Sequence, residues 1–231
     1  MTRRRLAQSA LFLMLAFSAG MGVLLATLPA GGDAEIRVAR RLGGHVSADG
    51  PIARSSRIAR AIVAIEDERF DDHFGIDPAG VARAAWSDVS GGGLQGGSTI
   101  TEQLAKNLYS DGDHSIETKL LTVGLAVKLE YRYSKSQILE MYLNSIYFGH
   151  GCWGVVRASE AYFGKTPAQL DWAEASLLAG LPQAPSSYDP LLAFGRARAR
   201  QRHVLDALVR SGVLTPQAAA AADAEMTSLR K

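Results

Sequence analysis

The chain begins with a long apolar segment. Residues 6–30 carry no charged side chain and are rich in Leu, Ala, Phe and Met, and Arg3, Arg4 and Arg5 precede them. About 20 apolar residues span the core of a bilayer, whereas the apolar part of a cleaved signal peptide has about 7–15. The pattern predicts a retained transmembrane signal-anchor within residues 1–30, with cleavage near Ala30 as the alternative. The arginines then stay cytoplasmic, which places the remaining chain on the periplasmic or outer face of the cytoplasmic membrane.

A more polar stretch with repeated glycines follows. Residues 31–53 contain Gly31-Gly32, Gly43-Gly44 and Gly50-Pro51 among scattered charges, which predicts an irregular linker. Beyond it, apolar positions recur at helical spacing, and no useful run alternates with period two. We therefore predict one all-α domain over residues 54–231.

Capping residues mark several helix starts. Residues 54–70 form the first predicted helix of the domain, with Ser55 or Ser56 as its cap. Thr99 and Glu102 form a T-x-x-E capping box for the next helix. Further helix starts are predicted at Ser115, at Ser134 with Gln137, at Thr166 and at Thr215, and the helix from Thr166 is predicted to run through Leu181. An arginine-rich helix, with a solvated face over residues 196–202, is predicted to end near Gly212.

Composition and charge narrow the class of protein. With 231 residues and 47% hydrophobic side chains, the chain can bury a core and is not a disordered protein. A formal net charge of +2 does not favour nucleic acid as a partner. Cys152 is the single cysteine, so no intramolecular disulfide is possible, and we predict a packed thiol.

Acidic residues gather where the first predicted helix of the domain ends, in residues 66–75. Glu66 follows Ile65 and lies four residues after Ile62, at the border of the buried face. A partly desolvated carboxylate there has a raised pKa and suits general-base catalysis. The alternative is an ordinary solvated acidic helix end.

A glycine-rich stretch, residues 91–97, leads into the helix that starts near Thr99. Its free N–H groups and hydroxyls, followed by Lys106, predict a cradle for a phosphate or diphosphate. The alternative is a flexible loop before a well-capped helix.

Four ordered motifs over roughly residues 60–190 resemble the peptidoglycan glycosyltransferase family. Its domain polymerises lipid II in class A penicillin-binding proteins and in monofunctional transglycosylases. The matching residues are Glu66, Asp67, Phe70, His73 and Gly75; Gly97, Ser98, Thr99, Ile100, Thr101, Gln103, Lys106 and Asn107; Lys135, Ile138, Leu139, Glu140, Tyr142, Leu143 and Asn144; and Ala173, Glu174, Ala175, residues 178–182 and Pro185.

The resemblance implies a lysozyme-like helical fold with a membrane-facing cleft. It implies that Glu66 removes the proton from the C4 hydroxyl of an acceptor lipid II, which attacks the donor strand and expels undecaprenyl diphosphate with inversion. Lipid II, the growing strand, the bacterial cytoplasmic membrane and proteins of cell-wall synthesis are the expected partners. The implied substrate-binding residues are Asp67, Phe70, His73, Gly97, Ser98, Thr99, Gln103, Lys106, Asn107, Lys119 and Asn144.

This chain differs from the family in the third of the family's motifs. That motif, approximately R-x-x-x-R-K-x-x-E, is occupied here by His114, Thr118, Lys119 and Thr122, so the second catalytic carboxylate of the family is missing. Glu102 also replaces a glutamine. Neither Glu117 nor Glu130 is placed to substitute for the carboxylate, because Glu117 points elsewhere around the helix and Glu130 lies too far along it. We expect reduced or altered activity, with Thr122→Glu leaving it unchanged or raising it.

Cations could stabilise the leaving diphosphate in place of an acid. Lys106, Lys119, a protonated His114 or a divalent cation (Mg²⁺ or Mn²⁺) are the candidates. The histidines have no ligand spacing, so no metal site within the protein is predicted.

Two other classes of function are alternatives to a polymerising enzyme. A catalytically weak scaffold that binds lipid II would fit the altered third motif, and a lytic enzyme would need a general acid for a sugar leaving group. The sequence contains no K-T-G, and S-x-x-K occurs only in residues 228–231. This pattern predicts a monofunctional enzyme without a transpeptidase domain.

Overall fold

The computed structural model describes residue 22 and residues 26–43, 50–83, 97–110 and 115–226. Most of the predicted transmembrane segment, as well as His114, lies outside the described residues. Within the described ranges, no helix combines the length and the apolar character needed to cross a membrane. The transmembrane signal-anchor therefore stays a prediction.

The described part of the chain is mostly helical, as predicted, and contains no β-strand, only an isolated bridge between Tyr147 and Trp153. Residues 78–83 are also helical. The helices with defined bounds are α1 (Ala34–Leu42), α2 (Arg57–Glu66), α3 (Ile100–Tyr109), α4 (Ile116–Arg132), α5 (Lys135–Ser145), α6 (Val155–Phe163), α7 (Trp172–Gly180), α8 (Phe194–Arg210) and α9 (Pro216–Glu225).

Side-chain caps start several of these helices where the sequence predicts them. Ser56, Ser115 and Thr215 each accept a hydrogen bond from the backbone N–H three residues further on. Ser134 and Gln137 form a complete capping box at the start of α5. These contacts satisfy donors that a helix N-terminus otherwise leaves unpaired, so the boundaries follow from local chemistry.

Two predicted helices are shorter than expected. Helix α2 ends at Glu66 rather than at Phe70, because Asp67 leaves the helical conformation with φ −158°. The predicted helix from Thr166 through Leu181 is instead a single 3₁₀ turn, Pro167–Gln169, followed by α7. Asp171 caps α7 with its own capping box, which gives that helix a separate start.

The predicted linker is not irregular throughout. Part of it forms α1, whose residues Ala34, Val38 and Leu42 are buried in the core. Arg37 donates a hydrogen bond to the Leu108 carbonyl at 3.2 Å, so α1 is tied to α3. The prediction of an irregular linker over residues 31–53 is therefore wrong for Ala34–Leu42. The glycines lie on either side of this short amphipathic helix and not within it.

Two groups of helices pack together to form the core. Helix α7 is mostly buried and contacts both α2 and α8, while α3 packs against α4 and α5. Glu66 ends a helix of the first group, and the Thr99–Asn107 motif lies in the second. The two motifs that the sequence marks for chemistry therefore meet between the helix groups.

Candidate active site

Glu66 lies at the end of α2 with only 13% of its side chain exposed. One carboxylate oxygen accepts a hydrogen bond from Gln103 Nε2 at 2.8 Å, and Arg200 Nη2 lies 4.0 Å from the other. Burial raises the pKa of Glu66, while the Gln103 hydrogen bond and the Arg200 charge act in the opposite direction. The carboxylate therefore binds a proton more readily than an exposed glutamate, as a general base requires.

Tyr142 fixes the amide of Gln103. The Tyr142 hydroxyl donates to Gln103 Oε1 at 2.8 Å. Tyr142 is fully buried, and burial raises its pKa well above the ordinary value, so the hydroxyl stays protonated and donates. The amide nitrogen must then face Glu66. A partly buried chain of two hydrogen bonds thus orients the carboxylate.

Asp67 connects the first motif to the second. It accepts a hydrogen bond from the Ile100 N–H at 2.9 Å, and both of its oxygens lie 3.0 Å from His73 Nε2. Asp67 and His73 are almost fully buried, and burial raises the pKa of Asp67. These contacts hold the N-terminus of α3 beside Glu66.

Phe70, Gly75 and Thr99 extend this framework. Phe70 is fully buried, and Thr99 Oγ1 donates to the Gly75 carbonyl at 2.7 Å. Gly75 has φ +83°, and a Cβ there would lie 2.9 Å from the Ala126 carbonyl carbon, so glycine is required. Substrate binding by Asp67, Phe70, His73 and Thr99 stays a prediction, since the contacts described here are within the protein.

A cavity of about 240 Å³ lies between α3 and α4, beside Gln103. Its walls bring together four of the predicted substrate-binding residues: Ser98, Gln103, Lys106 and Lys119. Thr118 and Thr122 line it as well. Two ammonium groups and several hydroxyls in one concave site suit a phosphate or diphosphate.

Three other predicted substrate-binding residues lie outside this cavity lining. Gly97 precedes Ser98 in the chain, Asn107 lies one residue beyond Lys106 on α3, and Asn144 lies near the end of α5. All three are partly exposed. Their substrate contacts stay predictions.

Glu102 differs from its predicted role. Thr99 accepts the Glu102 N–H at 3.1 Å, as a cap should, but the Glu102 carboxylate does not return to the Thr99 backbone. It accepts a hydrogen bond from Lys119 Nζ on α4 at 2.5 Å instead. Only half of the predicted capping box forms, because a cation from another helix binds the carboxylate.

The two acidic residues of α4, Glu117 and Glu130, do not line the cavity. Glu130 is buried and accepts hydrogen bonds from Thr101 Oγ1 and from Lys135 Nζ, both at 2.6 Å, so it links three helices. Glu117 is exposed. Neither lines the cavity that Thr122 lines, in agreement with the sequence argument.

Arg200 is a site residue that the sequence analysis missed. The arginine-rich face of α8 was predicted to be solvated, yet only 12% of the Arg200 side chain is exposed, and its Nε is buried without a hydrogen-bond partner in the described structure. Gly180 makes room for it, since a Cβ there would lie 2.9 Å from Arg200 Cγ. Helical spacing offered a signal, because buried Ala197 and Val204 lie three and four residues away on the same face.

The arrangement combines a largely buried, proton-accepting carboxylate with an adjoining cavity whose lining includes Lys106, Lys119 and the Glu102 carboxylate that pairs with Lys119. Such a site suits an enzyme that deprotonates one reactant while an anionic group departs from another. Residues 51–209 match the family described as Transglycosylase, and the chain belongs to this family.

The similar proteins include penicillin-binding proteins. The chain is 46% identical over 158 residues to penicillin-binding protein 1A of Neisseria flavescens, covering 68% of this chain and 20% of the relative. It is 44% identical over 161 residues to penicillin-binding protein 1A of Escherichia coli (strain K12), covering 69% and 19%. A crystal structure of penicillin-binding protein 1A from Haemophilus influenzae aligns with TM-score 0.40 and 29% identity, over 57% of this chain and 16% of that chain. The chain thus spans about a fifth of the length of these curated relatives.

Proposed function

We propose that this chain polymerises lipid II into peptidoglycan glycan strands, transferring the growing chain from undecaprenyl diphosphate to the C4 hydroxyl of an acceptor lipid II with inversion. One observation carries the proposal: the buried Glu66 carboxylate is joined through Gln103 to the cavity that contains Lys106 and Lys119. Membership of the transglycosylase family supports it. The proposal concerns the glycosyltransferase step alone, performed within a helical, lysozyme-like domain.

In the proposed step, Glu66 takes the proton from the acceptor C4 hydroxyl. The oxygen forms a bond to C1 of the donor sugar, and the bond from C1 to the diphosphate oxygen breaks with its electron pair leaving on the diphosphate. A sugar hydroxyl is a weak acid, so a positioned base contributes about 10²–10⁴-fold in rate. The raised pKa of Glu66 strengthens it as a base.

The leaving group requires charge stabilisation rather than a general acid. A diphosphate is already stable as an anion, and fixed cations stabilise the charge that develops on it. Lys106 and Lys119 supply two ammonium groups, and Ser98 supplies a hydroxyl donor. Mg²⁺ or Mn²⁺ bound to the diphosphate would add to this neutralisation.

A membrane-bound substrate fits the surface beside the cavity. Leu120 and Leu121 are 56% and 42% exposed on α4, directly between Lys119 and Thr122 in the chain. Exposed leucines beside a diphosphate site suit a lipid tail or a bilayer surface. We therefore propose that the domain acts on the outer face of the bacterial cytoplasmic membrane, anchored by residues 1–30.

The direct test is incubation of the purified full chain with lipid II and Mg²⁺, followed by separation of the products by size. We expect glycan polymer. Lipid II that binds without turnover would support the scaffold alternative, and soluble fragments released from purified peptidoglycan would support a lytic enzyme; either result, without polymer, contradicts the proposal.

Replacing Arg200 should change the pH dependence of this activity. Arg200→Met removes a positive charge 4.0 Å from Glu66, which disfavours the ionised carboxylate and raises the Glu66 pKa further. Because the base must be deprotonated, the activity lost on acidification is then lost at a higher pH in the variant than in the wild type. Rates measured across pH test this, with the exposed Arg202→Met as the matched control. If Arg200→Met loses activity at the same acidic pH as the wild type, then the Arg200 charge does not influence the protonation of Glu66.

A further inference from the structure

Glu102 is a carboxylate in an unusual position. Only 4% of its side chain is exposed, although glutamates are almost never fully buried in proteins unless they are paired. Burying a carboxylate is costly unless a cation pairs with it. Its observed partner, Lys119 Nζ at 2.5 Å, comes from the facing helix α4 and has 54% of its side chain exposed.

The same ammonium group makes a second contact. Lys119 Nζ donates to Ser98 Oγ at 2.9 Å, so it joins α4 to the segment that precedes α3. An ammonium has three N–H donors. Two are used by Glu102 and Ser98, and the third has no acceptor in the part of the chain that the structure describes.

We propose that Glu102 is a positioning residue that holds the Lys119 ammonium against the cavity, so that its remaining donor faces the departing diphosphate. The inference rests on the proposed function. A lysine has a flexible four-carbon stem, and an exposed one samples many positions without a fixed acceptor. The buried carboxylate removes that freedom.

Two of the departures from the family motifs, at Glu102 and Thr122, change a position at which a carboxylate could stand, and both face this one cavity. Glu102 replaces a glutamine on α3, and Thr122 stands on α4 where the motif has a glutamate. Thr122 lies three residues from Lys119 on the same helix, and its Oγ1 donates to the Lys119 carbonyl at 2.9 Å. A carboxylate at position 122 could therefore reach the same ammonium from the opposite wall. The chain has, in this proposal, moved the carboxylate across the cavity.

The proposal predicts a particular kinetic signature. Glu102→Gln keeps the side-chain size but removes the charge that holds Lys119. Loss of a charge-assisted hydrogen bond corresponds to about 10–100-fold, and we expect kcat to fall by that amount. KM should not rise, because a negative charge near the diphosphate is removed as well. A residue that merely repels the substrate would instead give a higher rate on replacement.

The test compares lipid II polymerisation by the wild type, Glu102→Gln, Thr122→Glu and the double variant Glu102→Gln/Thr122→Glu. We expect the double variant to recover kcat to within about threefold of the wild type. Thermal unfolding of each protein separates a folding defect from a kinetic one. A kcat unchanged in Glu102→Gln, or a double variant no better than Glu102→Gln, overturns the inference.

A second pair of variants keeps the inference testable if the double variant folds poorly. Lys119→Met and Glu102→Gln should not be additive, because each removes the same contact. Additive losses would show that the two side chains act separately and would overturn the inference. A wild type that makes no polymer overturns the proposed function and this inference with it, whereas an active wild type with additive losses overturns this inference alone.

Discussion

Replacing Glu66 with glutamine is expected to lower the rate of lipid II polymerisation by about 10²–10⁴-fold. The amide keeps the shape of the carboxylate and can still accept the hydrogen bond from Gln103. It cannot take the proton from the acceptor hydroxyl. The loss should therefore appear in kcat, with lipid II still bound, and initial rates of polymer formation measure it.

Glu68→Gln is the matched control. Glu68 lies two residues further along the chain, is exposed, and should retain nearly the full rate when replaced. Thermal unfolding of both variants checks that the fold persists. Wild-type activity should also fall on acidification at a pH above the usual glutamate range, because burial raises the pKa of Glu66. Polymer made by Glu66→Gln at close to the wild-type rate would mean that another group is the base.

Replacing Asp67 with alanine is expected to destabilise the domain by about 2–4 kcal/mol. The change leaves the Ile100 N–H and the His73 ring nitrogen buried without their acceptor. The N-terminus of α3, which presents Gln103 to Glu66, loses its tie to the first motif at the same time. Urea unfolding followed by circular dichroism measures the change in the free energy of unfolding.

Two variants calibrate this result. Asp72→Ala removes an exposed carboxylate nearby and should change stability by less than about 0.5 kcal/mol. Asp67→Asn keeps an acceptor for the Ile100 N–H, so it should lower the free energy of unfolding by less than Asp67→Ala and by more than Asp72→Ala. If Asp67→Ala unfolds at the same urea concentration as Asp72→Ala, then Asp67 does not hold α3 in place.

The helices could be predicted from the sequence largely because their starts are local. Ser56, Ser115 and Ser134 each bind an N–H group three residues away, and nothing distant is needed to recognise that contact. The prediction of one helix from Thr166 to Leu181 was wrong for an equally local reason, because Asp171 and Glu174 form a second capping box that starts a separate helix.

The parts of the site that the sequence did not predict depend on contacts between distant residues. Glu102 carries a valid capping pattern, and only the position of α4 reveals that Lys119 binds its carboxylate instead. Arg200 reaches Glu66 because Gly180, on another helix, has no side chain. Periodicity identifies which face of a helix is buried, but not which charge in a neighbouring helix that face meets.

The motifs themselves predicted which residues would lie near one another. Ser98, Gln103, Lys106 and Lys119 line one cavity, and Gln103 connects it to Glu66. Asp67 and Thr99 were expected near the substrate, yet their visible contacts hold the backbone of the two motifs together. A sequence motif contains residues that line the cavity as well as residues that hold the backbone in place, and the residue types alone do not distinguish the two.

The packing of the earliest described residues bears on where the folding unit begins. The match to the family starts at residue 51, yet Leu28, Val38 and Leu42 belong to the core, and Lys128 Nζ donates to the Leu28 carbonyl at 2.7 Å. A version trimmed at the edge of sequence similarity would lose these side chains, each contributing about 1.5–3 kcal/mol when fully buried. Such a truncation would open an apolar groove along α4 and α5 and invite aggregation, so expression trials should keep the chain from before residue 28.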